Sequence, residues 1–173
     1  MSQPTASNSA RDEQADQMWR TAHADMPKLS DEEIRERNRN TILQLQNLIN
    51  QELFEDAKKL FSHDFVFHDG GMTFPGTNAL VEYFETLTAA MADLVLDFQS
   101  VIAQFDRVAV RMVNRGTHLG NYRGMAPPTG APVTYTAVCI FVFNADGRIK
   151  EAWQDCDTLA LLMQFGVIKM PGS

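Results

Sequence analysis

The sequence predicts a segregated α+β fold in which a curved antiparallel sheet packs against N-terminal helices. Two observations carry this expectation. Apolar residues recur at helical spacing up to about residue 61 and again over 77–91, and from residue 94 the pattern turns extended. Four long strand candidates then follow, over 94–104, 106–118, 133–144 and 147–156. Helices first, then long strands joined by short connections, is the order in which a sheet curls around its helices. At 173 residues and 45% hydrophobic content the chain suits one core, so one domain over 30–173 is expected behind a flexible tail at 1–29.

The tail is rich in Ser, Ala, Asp, Gln and Thr and has no sustained periodicity; Trp19 and Met26 are its apolar exceptions, able to pack on the body or on a partner chain. Ser30 and Glu33 have the spacing of a capping box. They open a helix through about residue 50 with Ile34, Leu43, Leu45, Leu48 and Ile49 as its apolar side. A short second helix near 53–61 carries Leu53, Phe54, Ala57, Leu60 and Phe61. FVFHDGG reads as a short strand running into a Gly-Gly turn, and GTNALVEYFETLTAAM as a helix over about 77–91. NADG is the tight turn between the last two strands, and a closing helix over 158–165 stops at Gly166.

Charge assigns the strand faces. Arg107, Arg111 and Arg115 share one face, which sends Val108, Val110, Met112, Asn114 and His118 inward; Leu94, Leu96 and Phe98 follow on the preceding strand. Arg148 and Lys150 likewise push Ile149, Glu151, Trp153, Asp155 and Asp157 inward. That leaves Val113, Ala137, Cys139, Phe141 and Phe143 on the outer face beside the arginines, more apolar surface than a solvated face needs. A homodimer or higher homo-oligomer is therefore expected.

Composition removes several function classes. A net charge of −7 leaves no clustered Lys and Arg to displace counterions from nucleic acid. Cys139 and Cys156 form neither a Cys-x-x-Cys pair nor a disulfide framework, and the scattered His and Asp residues lack paired ligand spacing, so no metal is expected. Nucleophile elbows and glycine-rich phosphate loops are absent, so neither nucleophilic catalysis nor a nucleotide cofactor is implied. No apolar run approaches the ~18 residues that cross a bilayer, and the first residues carry no signal-peptide core, so no membrane is involved and the cytoplasm is the expected location.

The residues left to carry chemistry cluster on the last strands. A carboxylate facing an apolar interior has its charged form desolvated, which moves it toward proton transfer near neutral pH. Asp155 fits that role, with His118 as its partner. Asp157 is a second candidate, although it also precedes TLALL and is an N-cap by position. Trp153, Met112, Asn114, Phe98, Gln154 and His68 are the candidate pocket wall for a small apolar substrate; His63 reads as surface.

Residues 117–166, from THLGNYRGMAPPTGAP to TLALLMQFG, resemble the C-terminal half of the SnoaL-like polyketide cyclases and ester cyclases, a group within the nuclear-transport-factor-2-like superfamily. The Thr-His-x-Gly turn, the Gly-x-x-Pro-Pro-Thr-Gly segment at 124–130, the Asp-Gly-Arg-Ile turn and the closing Leu-Leu-x-Gln-x-Gly carry the likeness. FSHDFVFHDGG and PGTNALVEYFETLTAAMADL extend it upstream, so that it covers roughly 34–168. The resemblance implies a cone-shaped α+β barrel and a cofactor-free enzyme of natural-product biosynthesis that closes a ring in an apolar cavity, with an Asp near the end of the last strand as general acid/base. In this chain that family position falls at Gln154, which cannot exchange a proton near neutrality. The resemblance then admits either a bulge bringing Asp155 into the role or ring closure by shape and hydrogen bonding, with Gln154 polarising a carbonyl. An epoxide hydrolase built on an Asp-Arg-Asp group and a non-catalytic ligand-binding module are the alternatives on the same fold.

Overall fold

In the computed structural model the described residues are 29–169 together with Gln17, Met18 and Thr21, so Trp19 and Met26 lie outside them. Helix α1, Asp31–Asn50, opens on Ser30 with both arms of the capping box formed: the Ser30 side chain accepts from Glu33 N, and Glu33 reaches back to the Ser30 amide at 2.7 Å. Its buried residues, Ile34, Asn38, Ile42, Leu45 and Ile49, recur every three or four positions and form a stripe. Leu43 and Leu48 flank that stripe, and the polar Asn38 sits within it because its Nδ2 donates to the Phe105 carbonyl at 3.1 Å. A short helix α2, Phe54–Lys58, follows.

The remaining elements are β1 (Phe61–Asp69), β2 (Met72–Pro75), α3 (Thr77–Ala90), β3 (Val95–Gln104), β4 (Arg107–Thr117), β5 (Pro132–Phe143), β6 (Ile149–Cys156) and α4 (Thr158–Gln164). The six strands form one sheet in the order β2-β1-β6-β5-β4-β3. It is mixed rather than wholly antiparallel as expected, because β1 runs parallel to β6. The short strand β2 was not anticipated; Gly70 and Gly71, at φ 56° and 79°, turn the chain back on β1 in a conformation that side chains resist.

Helix α1 lies along the edge strand β3 and satisfies the free backbone groups of Leu96 there. Gln46 Nε2 and Asn50 Nδ2 each donate to the Leu96 carbonyl at 2.9 Å, and Leu96 N donates to Asn50 Oδ1 at 2.8 Å. The inward residues of all the long strands, α1, α3 and Phe165 then join one buried cluster. Phe65, Phe67, Phe143 and Phe165 are almost fully enclosed in it, and each such side chain contributes about 1.5–3 kcal/mol relative to exposure. Among the described residues no helix is long and apolar enough to cross a membrane.

Strand faces follow from cross-strand pairing, since partners opposite each other share a face. Val108, Val110, Met112 and Asn114 point inward as expected and face Phe141, Cys139, Ala137 and Tyr135. Ala137, Cys139, Phe141 and Phe143 are therefore buried, not on the outer face where the sequence placed them. Val113 keeps the outward parity of Arg111 and Arg115 but is itself 7% exposed. The outer face carries Val138, Ile140 and Trp153 instead.

Strand β6 is reversed relative to expectation. Ile149 pairs with Phe143 but Glu151 already pairs with Val142, so Lys150 is an extra residue, a β-bulge. Ile149 points in, and beyond the bulge Ala152 and Gln154 do so, leaving Glu151, Trp153 and Asp155 on the outer side. A single unpaired residue thus turns the carboxylate that the alternation aimed at the interior out to solvent.

Candidate active site

The parity of β1 and β6 determines which polar groups reach the interior. Phe67 stands opposite Ala152 and Asp69 opposite Gln154, all on the inner side. Asp69 is the last residue of β1, immediately before the Gly70-Gly71 turn, and Gln154 is 8% exposed. From the helix above, Tyr83 of α3 meets them: Gln154 Nε2 donates to the Tyr83 hydroxyl at 2.9 Å.

Two spaces meet at these residues. One is an apolar interior cavity between Leu45, Leu80, Phe84, Phe98, Met112 and Phe141, with Gln154 as its polar member; its free volume is about 20 Å³, room for about one water. The other is a half-open hollow of about 380 Å³ between the β1–β2 hairpin and α3, lined by Phe67, Asp69, Met72, Phe74, Tyr83 and Arg123 among others. That volume lies within the ~300–1,000 Å³ of small-molecule sites. Phe67 walls both spaces, and the Gln154–Tyr83 hydrogen bond spans from one to the other.

The electrostatics of the hollow centre on Asp69. Burial pushes its carboxyl above the ordinary carboxylate range, while Gln154 and the Arg123 guanidinium favour the charged form and partly offset that effect. Other carboxylates behave oppositely: Asp93 is held low by Thr117, whose amide and hydroxyl donate to it at 2.6 and 2.7 Å. Burial also raises the Tyr83 phenol, so it stays a neutral hydrogen-bond donor. Tyr135 likewise rises through burial, an effect that Asn114 partly offsets.

The residues expected from the sequence divide. Met112, Phe98 and Gln154 line the interior cavity, and Asn114 is buried on the same inner face. Asp155 is exposed on the outer side, opposite Val138. Trp153 is 37% exposed and stacks on His68 at 5.0 Å, and His68 hydrogen-bonds Glu151 at 2.9 Å and Thr73 at 3.0 Å. These two form an outer-surface cluster rather than a pocket wall, for they follow the reversed parity of β6. Asp157 is the N-cap of α4, accepting from Ala160 N at 3.0 Å. His118 is fully buried but away from Asp155: its Nδ1 meets Thr129 Oγ1 at 3.1 Å and its ring stacks on Phe165 at 4.1 Å. It anchors the 118–131 segment against α4, and its Nε2 has no partner among the described residues.

Asp69 and Tyr83 were missed by the sequence reading. The available signal was FVFHDGG itself, in which Asp69 shares strand parity with Phe65 and Phe67. Among the described residues, no group of three or more His, Cys, Asp or Glu side chains is arranged to hold a metal ion.

The family model of SnoaL-like polyketide cyclases matches residues 39–165, most of the folded body. The chain belongs to this family. Among solved structures, IdmH from Streptomyces antibioticus, a candidate polyketide cyclase, is 28% identical with a TM-score of 0.67, covering 75% of this chain and 98% of that one. AclR from Streptomyces galilaeus, a candidate hydroxylase, is 27% identical with a TM-score of 0.71, covering 78% of this chain and 99% of its own. A SnoaL-like protein from Jannaschia sp. CCS1 shares the fold at 22% identity and a TM-score of 0.71, covering 83% and 100%. No curated protein is detectably similar in sequence. The fold of this SnoaL-like chain is thus the cone-shaped α+β barrel expected from the sequence.

Proposed function

We propose that this SnoaL-like protein is a cofactor-independent cyclase or isomerase acting in the cytoplasm on an apolar, polyketide-like substrate of natural-product biosynthesis. One observation carries the reading: the hollow of about 380 Å³ sets the aromatic walls Phe67, Phe74 and Tyr83 beside the half-buried Asp69 carboxylate, with Glu82, Thr86 and Arg123 as further polar lining and the Tyr83 hydroxyl accepting from Gln154. Walls of that kind hold a flexible carbon chain in a folded shape, and few polar groups suffice to polarise one carbonyl. The family match supports ring closure, and the likeness to IdmH supports a carbon skeleton of polyketide type.

The test is to incubate the purified protein with aryl poly-β-ketone substrates and follow the products by chromatography and mass spectrometry. A product of equal mass, or lighter by one water, with altered retention is expected. Binding without any change in the ligand would overturn the enzyme reading and favour a ligand-binding module. An epoxide hydrolase is less well supported, because Arg111 bonds Gln99 and Arg115 pairs with Asp97 at 2.9 Å on the outer face, and Arg123, the arginine that lines the hollow, shares it with one aspartate, Asp69, rather than two. For the assembly, the exposed Val138, Ile140 and Trp153 support a homodimer through the outer face, tested by sedimentation of the wild type and of Ile140→Glu.

A further inference from the structure

We propose that Asp69 is the proton-transfer group of this site and that Gln154 is its positioning residue, the pair acting on a carbon acid next to a carbonyl. This rests on the cyclase reading and names the group that reading leaves open.

Placement is the first argument. Asp69 ends β1 at the wall of the hollow, and the Gly70-Gly71 turn that follows removes the chain from in front of it. Phe67, Phe74 and Tyr83 surround the same space, so a carbon chain resting on them lies beside the carboxylate. The second argument is support. Gln154 stands directly opposite Asp69 in the parallel β1–β6 register, where strand pairing fixes the distance between their backbones. Its amide is held in turn by the hydrogen bond to Tyr83, so its rotamer is set from the helix side. The raised proton affinity of Asp69, caused by burial and tempered by Gln154 and Arg123, makes it a stronger base than an ordinary carboxylate.

The step balances without any co-reactant. An Asp69 carboxylate oxygen takes the proton from the carbon next to the carbonyl, and the C–H electron pair becomes the carbon–carbon double bond of an enolate. The negative charge arrives on the carbonyl oxygen. Tyr83 already accepts from Gln154 and so keeps its own O–H to donate to that oxygen. When the enolate carbon bonds to a second carbonyl carbon, Asp69 returns the proton to the new alkoxide, and the carboxylate is restored.

Proton abstraction can be read apart from ring closure by NMR, as loss of the methyl signal of 2-acetonaphthone in D₂O. Wild-type protein is expected to accelerate exchange, with a rate that rises with pH through a midpoint above the usual carboxylate range. Asp69→Asn should lower the rate about 100-fold or more with a melting temperature no lower than that of the wild type. Gln154→Ala removes a group that favours ionised Asp69, so the midpoint of the pH profile should move upward, a change that a merely structural role would not produce. Exchange at the wild-type rate in Asp69→Asn would overturn the assignment and leave the cyclase reading standing. No exchange by the wild-type protein at saturating ketone would overturn the carbonyl-substrate reading itself.

Discussion

Replacing Gly120 by alanine tests how the segment bordering the hollow is held. Leu119 N and Gly120 N both donate to the Ala90 carbonyl at 3.0 Å, tying the start of the 118–131 segment to the end of α3. A Cβ added at Gly120 would lie 1.9 Å from the Ala89 carbonyl oxygen, and its neighbours there are backbone atoms rather than a yielding side-chain tip. The two backbones must part by about 1–1.5 Å to reach ordinary contact, which stretches both hydrogen bonds beyond useful length. Each bond contributes about 0.5–1.5 kcal/mol, and with residual strain the variant should lose about 2–4 kcal/mol. For a chain of this size that is a fall of roughly 5–15 °C in melting temperature. Urea denaturation followed by circular dichroism measures it directly. A Gly120→Ala protein within about 0.5 kcal/mol of wild type would refute the close approach.

Asp155→Asn should leave turnover and stability unchanged within about twofold, since the side chain is exposed on the outer face, and a large loss in a cyclisation assay would place it in the site after all. Asp69 supplies a pH dependence of stability. Its raised pKa makes the ionised form unfavourable in the fold, a penalty absent at acid pH where both states are protonated and complete once pH exceeds the folded-state pKa. Asp69→Asn should therefore be at least as stable as wild type at neutral pH and converge with it in acid, as read from melting temperatures across pH. Burial raises both thiols, with Cys139 fully enclosed and Cys156 half-buried, so Ellman's reagent should react slowly with Cys156 in the native protein and reach Cys139 only after denaturation. Rapid labelling of Cys139 in the native protein would contradict its place in the core.

Most of the architecture was legible because it rests on local chemistry. The Ser30–Glu33 box, the Asn-Ala-Asp-Gly turn and the Asp157 cap each place a boundary within a residue or two of where it occurs. The inward face of β4 was also correct, because three arginines at a spacing of four leave little choice. What failed was counting by alternation across a bulge. Nothing in IKEAWQDC shows that Lys150 will be left unpaired, since that is decided by how Phe143 and Val142 meet the strand from the other side. Strand β5 failed for a related reason: its residues are apolar at nearly every position, and only its pairing with Met112 and Val110 tells inside from outside. Asp69 was overlooked because its significance is relational, created by Gln154, Tyr83 and Arg123, which arrive from three other parts of the chain.

The bulge at Lys150 also bears on how this strand tolerates changes in length. A regular strand linking the same pairs has no use for that residue, so removing it would leave Ile149 opposite Phe143 and Glu151 opposite Val142 as they already stand. A one-residue deletion ordinarily inverts everything downstream, but here it should straighten the strand and leave Ala152 and Gln154 facing the same way. Loss of a single codon at this point should thus be silent for the cavity, while a deletion one turn later, between Ala152 and Gln154, should exchange the two sides of the wall.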